Sequence, residues 1–545
     1  MSTMPHHFLN NPPKSFAKTI DENAYSSIVD LVRQSCEKFS DRPAFSSFGQ
    51  VLSYAEIDRK SDYVAAYLQT DLGLTKGDRV ALMSPNIMAF PVAMLGILKA
   101  GLIQVNVNPL YTARELTHQL NDADTDTIII YGGVTDVLAE MVDQTSIKNI
   151  VIVNLGDATN GRLPSPEVNE KYRDTITLNN VLERGKDLSF TRPSLELSDL
   201  IFLQYTGGTT GLSKGAALTH GNLVANIMMY DAVAGEITLD GEEVVITALP
   251  LYHIFALMVN FLSYFKYGAL NVLIANPRDM PGFVAELDKW KFSAISGVNT
   301  LYNGLLHTPG FADLDFDNLK AAWGGGAAIQ RVVSDQWLEF TGQHIKEGYG
   351  LSETSPILTL NPLEIRHFTE TVGLPMPSTE ITLRDGEGNE VVDGEPGELW
   401  ARGPQVMKGY WRNPEANAEV MTKDGFFKTG DVAILTEEGY YKIVDRIKDM
   451  VLVSGFNVYP TEIENVIAEM TDIVEVAVIG VPDDKTGESV KAFAVRSRDG
   501  LSGSEVQNYC RDNLAAYKVP KYVEFIDELP KSTVGKILRR ELRNY

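Results

Sequence analysis

The stretch LIFLQYTGGTTGLSKGAALTH, residues 200–220, joins a short apolar run to a loop rich in glycine and threonine. The apolar residues predict a buried strand, and a helix-like pattern follows the loop. Glycines let a backbone approach a phosphate, hydroxyl groups can bond to it, and Lys214 adds a positive charge. The composition therefore predicts a phosphate-binding loop. Its spacing differs from a Walker A loop, because six residues separate Gly207 from Lys214 and no Ser or Thr follows the lysine.

The same loop leaves a second interpretation open. Gly211, Ser213 and Gly215 match G-x-S-x-G, the nucleophile turn of serine hydrolases, which also follows a strand. Asp231 and His253 follow in the chain order that such a triad requires. That turn needs no run of threonines before its serine, and it explains none of the motifs farther along the chain. A serine hydrolase using Ser213 is therefore kept as the remote alternative.

Strands and helices alternate on the N-terminal side of the loop. Continuous apolar runs predict buried strands at 78–85, 125–132 and 148–156, and helical spacing occupies 85–101 and 111–123. Such alternation indicates an α/β fold with a largely parallel sheet. We expect one large N-terminal domain that spans residues 1–445.

The pattern changes after residue 445. The last hundred residues form a compact series in the order helix, strand, strand, helix, strand, at 461–470, 474–481, 490–497, 504–517 and 521–529. A separate pattern of this length predicts a small α+β domain, 446–545.

Composition narrows the possible classes. Of 545 residues, 44% are apolar and 22% charged, which excludes a disordered chain, and a net charge of −24 argues against nucleic-acid binding. Cys36 and Cys510 are too few and too distant for a disulfide framework. The sequence shows no signal peptide, and its longest apolar run, 249–265, is interrupted by polar residues, so we expect a cytoplasmic protein.

Four further segments carry recognisable chemistry: GYGLSET (348–354), FKTGD (427–431), DRIKDMVLVSGFNVYP (445–460) and PKSTVGKILRREL (530–542). Together with YTGGTTGLSKG (205–215), they resemble the motifs of the adenylate-forming superfamily in order and spacing. That superfamily contains acyl-CoA synthetases, luciferases and peptide-synthetase adenylation domains. In overall sequence the chain resembles the bacterial long-chain fatty acyl-CoA synthetases. The resemblance implies a large domain of mixed and parallel sheets plus a small mobile domain.

The resemblance also assigns a nucleotide site. It implies that ATP contacts the phosphate loop, two glycine-rich turns and a ribose-binding pair: Thr206, Gly207, Gly208, Thr209, Thr210, Gly211, Lys214, Gly324, Gly325, Gly326, Gly348, Tyr349, Gly350, Asp431 and Arg446. An aromatic ring such as Tyr349 can stack on a purine, and a glutamate is a hard oxygen ligand. Thr206 and Glu353 are the implied Mg²⁺ ligands.

Catalysis is assigned by the same comparison to Lys536, Lys214, Glu353 and Thr206. Lys536 resembles the lysine that neutralises the carboxylate and the α-phosphate during adenylation. Asp445 matches the hinge about which the small domain rotates, and Gly455 matches the glycine that admits the pantetheine of CoA.

An acyl pocket is expected around 249–262, where residues 254–259 contain no acidic side chain. An uncharged wall suits an alkyl tail, since each buried CH₂ contributes about 0.8 kcal/mol. The implied substrate contacts are His253, Phe255, Leu257, Gly297 and Val298.

We therefore expect an ATP-dependent ligase that converts a long-chain fatty acid to acyl-CoA through an acyl-adenylate, with ATP and CoA as co-substrates and Mg²⁺ as cofactor. A ligase for a medium-chain, aryl or other small carboxylate is the nearer alternative. An acyl-AMP ligase that feeds a carrier protein and a non-catalytic nucleotide-binding protein fit less well. A homodimer and transient contact with the inner face of a membrane are left open.

Overall fold

A six-stranded sheet holds the strand that leads into the phosphate loop. The computed structural model describes residues 12–16, 19–161, 163–206, 213–497, 500–532 and 535–545. Across this sheet the strands are Asn149–Val153, Thr127–Tyr131, Arg79–Met83, Ile103–Asn106, Leu200–Thr206 and Lys214–Thr219. All neighbours are parallel except the last pair, in which Thr206 lies opposite Lys214. The loop therefore starts and ends at one edge of the sheet.

A nine-stranded sheet forms the second layer. Its order is Leu374–Pro375, Ile357–Leu360, Ile345–Gly350, Ala321–Gly324, Ala294–Gly297, Val244–Thr247, Leu270–Leu273, Pro43–Ser47 and Gln50–Ser53. The six strands in the middle are parallel, and antiparallel pairs close both ends. Parallel strands end at the same edge, so the turns after 297, 324 and 350 meet there.

Two smaller sheets follow along the chain. An antiparallel sheet contains Glu380–Arg384, Gly397–Arg402, Phe427–Leu435 and Tyr441–Arg446. A five-stranded sheet of the C-terminal region contains Phe456–Val458, Val451–Val453, Gly487–Arg496, Ile473–Asp483 and Tyr522–Phe525. That region has apolar clusters of its own, built from residues between 451 and 542. The domain boundary at 445 stays a prediction.

Helices cover the sheets. The α-helices are Ile28–Lys38, Tyr54–Thr70, Ala89–Lys99, Ala113–Asp122, Thr135–Met141, Leu178–Gly185, His220–Ala234, Tyr264–Lys266, Met280–Leu287, Asn299–Leu306, Arg331–Thr341, Pro414–Val420, Pro460–Ala468, Gly503–Asn513 and Arg539–Leu542. A π-helix spans Ala256–Ser263. Short 3₁₀ turns occupy Lys14–Phe16, Gly132–Val134, Val142–Gln144, Glu170–Tyr172, Phe311–Asp313, Ser352–Thr354 and Ala516–Lys518.

Local sequence explains several of these boundaries. Ser53 with Glu56 and Thr112 with Glu115 form capping boxes, in which each side chain bonds to the other residue's backbone N–H. Every residue of Ala89–Lys99 is buried, including Lys99, whose ammonium group pairs with Asp58 and Asp62. The α/β fold with a small C-terminal α+β part is confirmed. Within the described ranges, every helix is too short or too polar to cross a bilayer.

Candidate active site

A cavity of about 2640 Å³ opens where the edges of the two large sheets meet the C-terminal region. Residues from every motif of the sequence line it: Thr206, Lys214, His253, Phe255, Val298, Gly324, Gly325, Gly326, Gly348, Tyr349, Gly350, Glu353, Asp431, Asp445, Arg446 and Lys536. Gly207, Gly208, Thr209, Thr210 and Gly211 lie outside the described residues. The fold thus brings together segments that are up to 330 residues apart in the chain.

Three predicted residues do not line this cavity. Leu257 is fully buried inside the π-helix. Gly297 has no free space beside it, because a Cβ there would lie 2.9 Å from the ring of Tyr302. Gly455 is exposed in a hairpin turn, where its φ of +85° favours glycine. Their roles toward the acyl chain and CoA stay predictions.

The ribose end of the predicted nucleotide site is a buried polar network. Asp431 and Arg446 face each other on paired strands, and their ion pair measures 3.0 Å from Nε to Oδ1. The Tyr349 hydroxyl donates to Asp431 Oδ2 at 2.6 Å. Burial, followed by the charge of Asp431, raises the pKa of Tyr349 far above its ordinary value. The tyrosine therefore stays neutral and serves as a hydrogen-bond donor.

Glu353 and Lys214 both contact Tyr410, a residue that the sequence analysis did not single out. The Tyr410 hydroxyl donates to Glu353 Oε1 at 2.8 Å, and Lys214 Nζ lies 5.2 Å from the centre of the Tyr410 ring. Burial raises the pKa of Glu353, and this hydrogen bond opposes the shift. Tyr410 reaches the site by pairing with Ala216 on the strand after the phosphate loop. Nothing in the segment MKGYWRNPE indicates that contact beforehand.

Lys536 enters the cavity from a tight turn of the C-terminal region. Ser532 N–H donates to the Lys536 carbonyl at 2.7 Å, and Lys536 N–H donates to Ser532 Oγ at 3.1 Å. Burial, assisted by the charge of Arg446, lowers the pKa of Lys536 to about 8. Burial and the charge of Lys536 lower the pKa of His253 to about 4. At neutral pH the lysine is thus a cation and the histidine is neutral.

Asp445 lies within a buried ionic cluster of the C-terminal region. Its Oδ1 accepts a hydrogen bond from Arg539 Nη1 at 3.0 Å, and its Oδ2 accepts one from the Thr461 N–H at 2.9 Å. Arg539 also contacts Glu464 at 2.7 Å. These acidic partners raise the pKa of Arg539 even though burial opposes its charge. The predicted hinge residue is therefore bound through its side chain to the C-terminal region.

The residues proposed for a hydrolase do not form a triad. Ser213 lines the cavity, where its carbonyl accepts a hydrogen bond from His118 Nε2 at 2.8 Å. Asp231 lies away from the cavity, and its carboxylate bonds to Lys266 Nζ at 2.7 Å and to the Tyr267 hydroxyl. His253 Nδ1 accepts a hydrogen bond from the Phe255 N–H at 3.3 Å. This arrangement does not support the serine hydrolase.

Comparison with known proteins agrees with this site. Residues 32–411 match the model of the AMP-binding enzyme family, and residues 462–536 match that of the AMP-binding enzyme C-terminal domain. A long-chain-fatty-acid–CoA ligase from Escherichia coli O157:H7 is 48% identical over 98% of both chains. The enzyme of the same name from Haemophilus influenzae is 45% identical over 98% of both.

Solved structures give the same result. ATP-bound MatB from Rhodopseudomonas palustris superposes with a TM-score of 0.81 at 29% identity, covering 95% of this chain and 98% of that one. The resemblance that the motifs indicated is confirmed. The chain therefore belongs to the AMP-binding enzyme family and, within it, to the long-chain-fatty-acid–CoA ligases.

Proposed function

We propose that this enzyme converts a long-chain fatty acid to its CoA thioester in two steps, through an acyl-adenylate. The observation that best supports this proposal is that Lys536 of the C-terminal region lines the same cavity as Thr206, Glu353, Asp431 and His253. Each of these groups has a defined task in joining a carboxylate to an adenosine phosphate. The full-length relatives support the long-chain substrate.

In the first step, a carboxylate oxygen of the fatty acid attacks the α-phosphorus of ATP, and the bond from that phosphorus to pyrophosphate breaks. Two anions must approach each other, so a cation between them lowers the barrier. Lys536 supplies that charge below its pKa of about 8. Lys214 stabilises the departing phosphates, Asp431 accepts hydrogen bonds from the ribose, and neutral His253 orients the carboxylate.

Thr206 and Glu353 fit a magnesium ion bound to the phosphates of ATP. Glu353 is only 7% exposed, yet it lines the cavity, and burial raises its pKa. A divalent cation offsets the cost of a buried carboxylate charge. Thr206 and Glu353 would be its ligands from this chain; across the described ranges no cluster of three or more His, Cys, Asp or Glu suits a metal. Magnesium would neutralise the charge on the phosphates.

In the second step, the thiolate of CoA attacks the carbonyl carbon of the acyl-adenylate, the carbon–oxygen bond to AMP breaks, and the thiol proton passes to solvent. The mixed anhydride is already activated, so no protein nucleophile is required. Gly455 is exposed outside the cavity while Lys536 lines it. We assign this arrangement to the first step. We propose that CoA reaches the acyl-adenylate only after the C-terminal domain has rotated.

The inner wall of the cavity suits an alkyl chain. Ile254, Phe255 and Val259 line it, together with the aromatic rings of Tyr230 and Trp323. Apolar side chains of this kind favour a hydrocarbon over a charged or zwitterionic acid. A cytoplasmic location, a homodimer and transient contact with a membrane surface remain predictions of the sequence.

The test measures pyrophosphate release and thioester formation with Mg·ATP and CoA, for unbranched acids from acetate to oleate and for benzoate. We expect the highest kcat/KM for the long acids. A maximum at benzoate or at short acids would overturn the substrate assignment and leave the two-step chemistry in place.

Lys536→Ala tests the division of labour. It should abolish adenylation of oleate but leave thioester formation from supplied oleoyl-adenylate within about twofold of the unmodified enzyme. The matched control is Lys521→Ala, which removes an exposed lysine that pairs with Asp483 outside the cavity. Loss of both steps in Lys536→Ala would contradict the assignment.

A further inference from the structure

The peptide unit between Gly535 and Lys536 is held at both of its polar atoms. Its carbonyl oxygen, on Gly535, accepts a hydrogen bond from Thr300 Oγ1 at 2.9 Å. Its N–H, on Lys536, donates to Ser532 Oγ at 3.1 Å. Because a peptide unit is planar, two such contacts fix its orientation. They thereby set the direction in which the Lys536 side chain leaves the backbone.

These two contacts come from different parts of the chain. Ser532 belongs to the same turn, so its bond persists wherever the C-terminal region lies. Thr300 lies 235 residues earlier, in the first turn of the helix Asn299–Leu306. Only the Thr300 contact depends on how the C-terminal region is docked.

The fit between the turn and this helix is close. A Cβ on Gly535 would lie 2.6 Å from Thr300 Oγ1 and 3.1 Å from Val298 Cγ2. The φ of Gly535 is +80°, a conformation that glycine adopts without strain. Val298 lines the cavity on the side assigned to the acyl chain. The start of one helix therefore contacts both the lysine turn and the proposed acyl pocket.

We propose that Thr300 is a positioning residue for Lys536, whose hydroxyl docks the lysine turn for adenylation and has no part in thioester formation. This inference rests on the proposed function, because it takes Lys536 as the residue of the first step. Thr300 also lines the cavity, and we assign its effect to the hydrogen bond with the Gly535 carbonyl rather than to contact with the reacting groups.

Thr300→Val removes the hydroxyl and preserves the shape of the side chain. A neutral hydrogen bond contributes about 0.5–1.5 kcal/mol, or a factor of about 2 to 13 in rate. We expect single-turnover pyrophosphate release from oleate to fall by that factor in Thr300→Val. Thioester formation from supplied oleoyl-adenylate should stay within about twofold. Thr300→Ser, which retains the donor, should restore most of the first step.

Thr308→Val is the matched control. Thr308 follows the same helix, and its Oγ1 donates to the Gly304 carbonyl at 2.7 Å, within the N-terminal part of the chain. We expect both steps to be unchanged in this variant, and thermal unfolding would verify that all three variants fold.

The outcomes separate the two proposals. If the unmodified enzyme is active and Thr300→Val leaves the rate of the first step unchanged, the docking role alone is refuted. Equal losses in both steps, or no rescue by Thr300→Ser, would also refute it. If the unmodified enzyme released no pyrophosphate with any fatty acid, the proposed function would fail and the docking role with it.

Discussion

Alkaline pH should inactivate the first step by removing the proton of Lys536. Burial and Arg446 lower the pKa of this lysine to about 8, so it is still a cation at neutral pH. A single group with that pKa is protonated in about nine molecules of ten at pH 7 and about one in ten at pH 9. Since the neutral amine cannot offset two approaching anions, we expect adenylation to fall about tenfold over this interval.

Single-turnover pyrophosphate release from oleate and Mg·ATP, without CoA, measures this step directly between pH 6.5 and pH 9.5. The second step, started from supplied oleoyl-adenylate, is the internal comparison. It requires a thiolate, and an ordinary thiol has a pKa of about 8.5. Its rate should therefore rise over the interval in which adenylation falls. Opposite slopes from one enzyme preparation exclude general denaturation as the cause.

Two other groups along the cavity titrate in the same range. Burial raises the pKa of Glu347 to about 8, and burial with the charge of Arg446 lowers that of Lys448 to about 8. Glu347→Gln and Lys448→Met should keep the alkaline loss, whereas Lys536→Arg, with a side chain that stays cationic, should lack it. The reasoning is refuted if adenylation is constant from pH 7 to pH 9, or if the loss persists in Lys536→Arg.

Three further predictions follow from the same contacts. Tyr410→Phe removes the donor to Glu353, so kcat/KM for Mg·ATP should fall about 10- to 100-fold while the KM for CoA is unchanged; steady-state kinetics would show it. Arg539→Met leaves Asp445 and Glu464 without their cation and should cost about 3–5 kcal/mol in urea unfolding, against about 0–1 kcal/mol for the half-exposed Arg543→Met. Lys536→Met removes a charge that the folded state disfavours, so the melting temperature should rise at pH 7. Between pH 8 and pH 10.5 the lysine is neutral in the folded protein but still charged in the unfolded one, so the unmodified enzyme gains stability and the advantage of Lys536→Met should disappear.

Much of the architecture could be predicted because long apolar runs allow few interpretations. The runs at 125–132 and 148–156 become the adjacent parallel strands Thr127–Tyr131 and Asn149–Val153. The turns that follow Gly297, Gly324 and Gly350 lie at one edge of the nine-stranded sheet, because the parallel strands before them end there. The strand predictions needed only local sequence, whereas the roles of the site residues rest on the resemblance of their motifs to the adenylate-forming superfamily.

The remaining features depend on contacts that no local pattern encodes. Tyr410 bonds to Glu353 across 57 residues, and Thr300 bonds to Gly535 across 235. Each of these results follows from the sheet order and from how the C-terminal region docks, which one sequence does not specify.

Asp445 and Arg446 are covalent neighbours whose side chains are held by opposite bodies of the molecule. The carboxylate of Asp445 is bonded to Arg539 and Thr461, while Arg446 is bonded to Asp431 on an earlier strand. Any rotation of the C-terminal region about these two residues must lengthen either the hydrogen bonds of Asp445 or the ion pair of Arg446. A ribose bound to Asp431, as we propose, would compete with Arg446 for that carboxylate. If the C-terminal region rotates as we propose, occupancy of the nucleotide site would lower the resistance to that rotation, and the empty enzyme would favour the arrangement that we assign to adenylation.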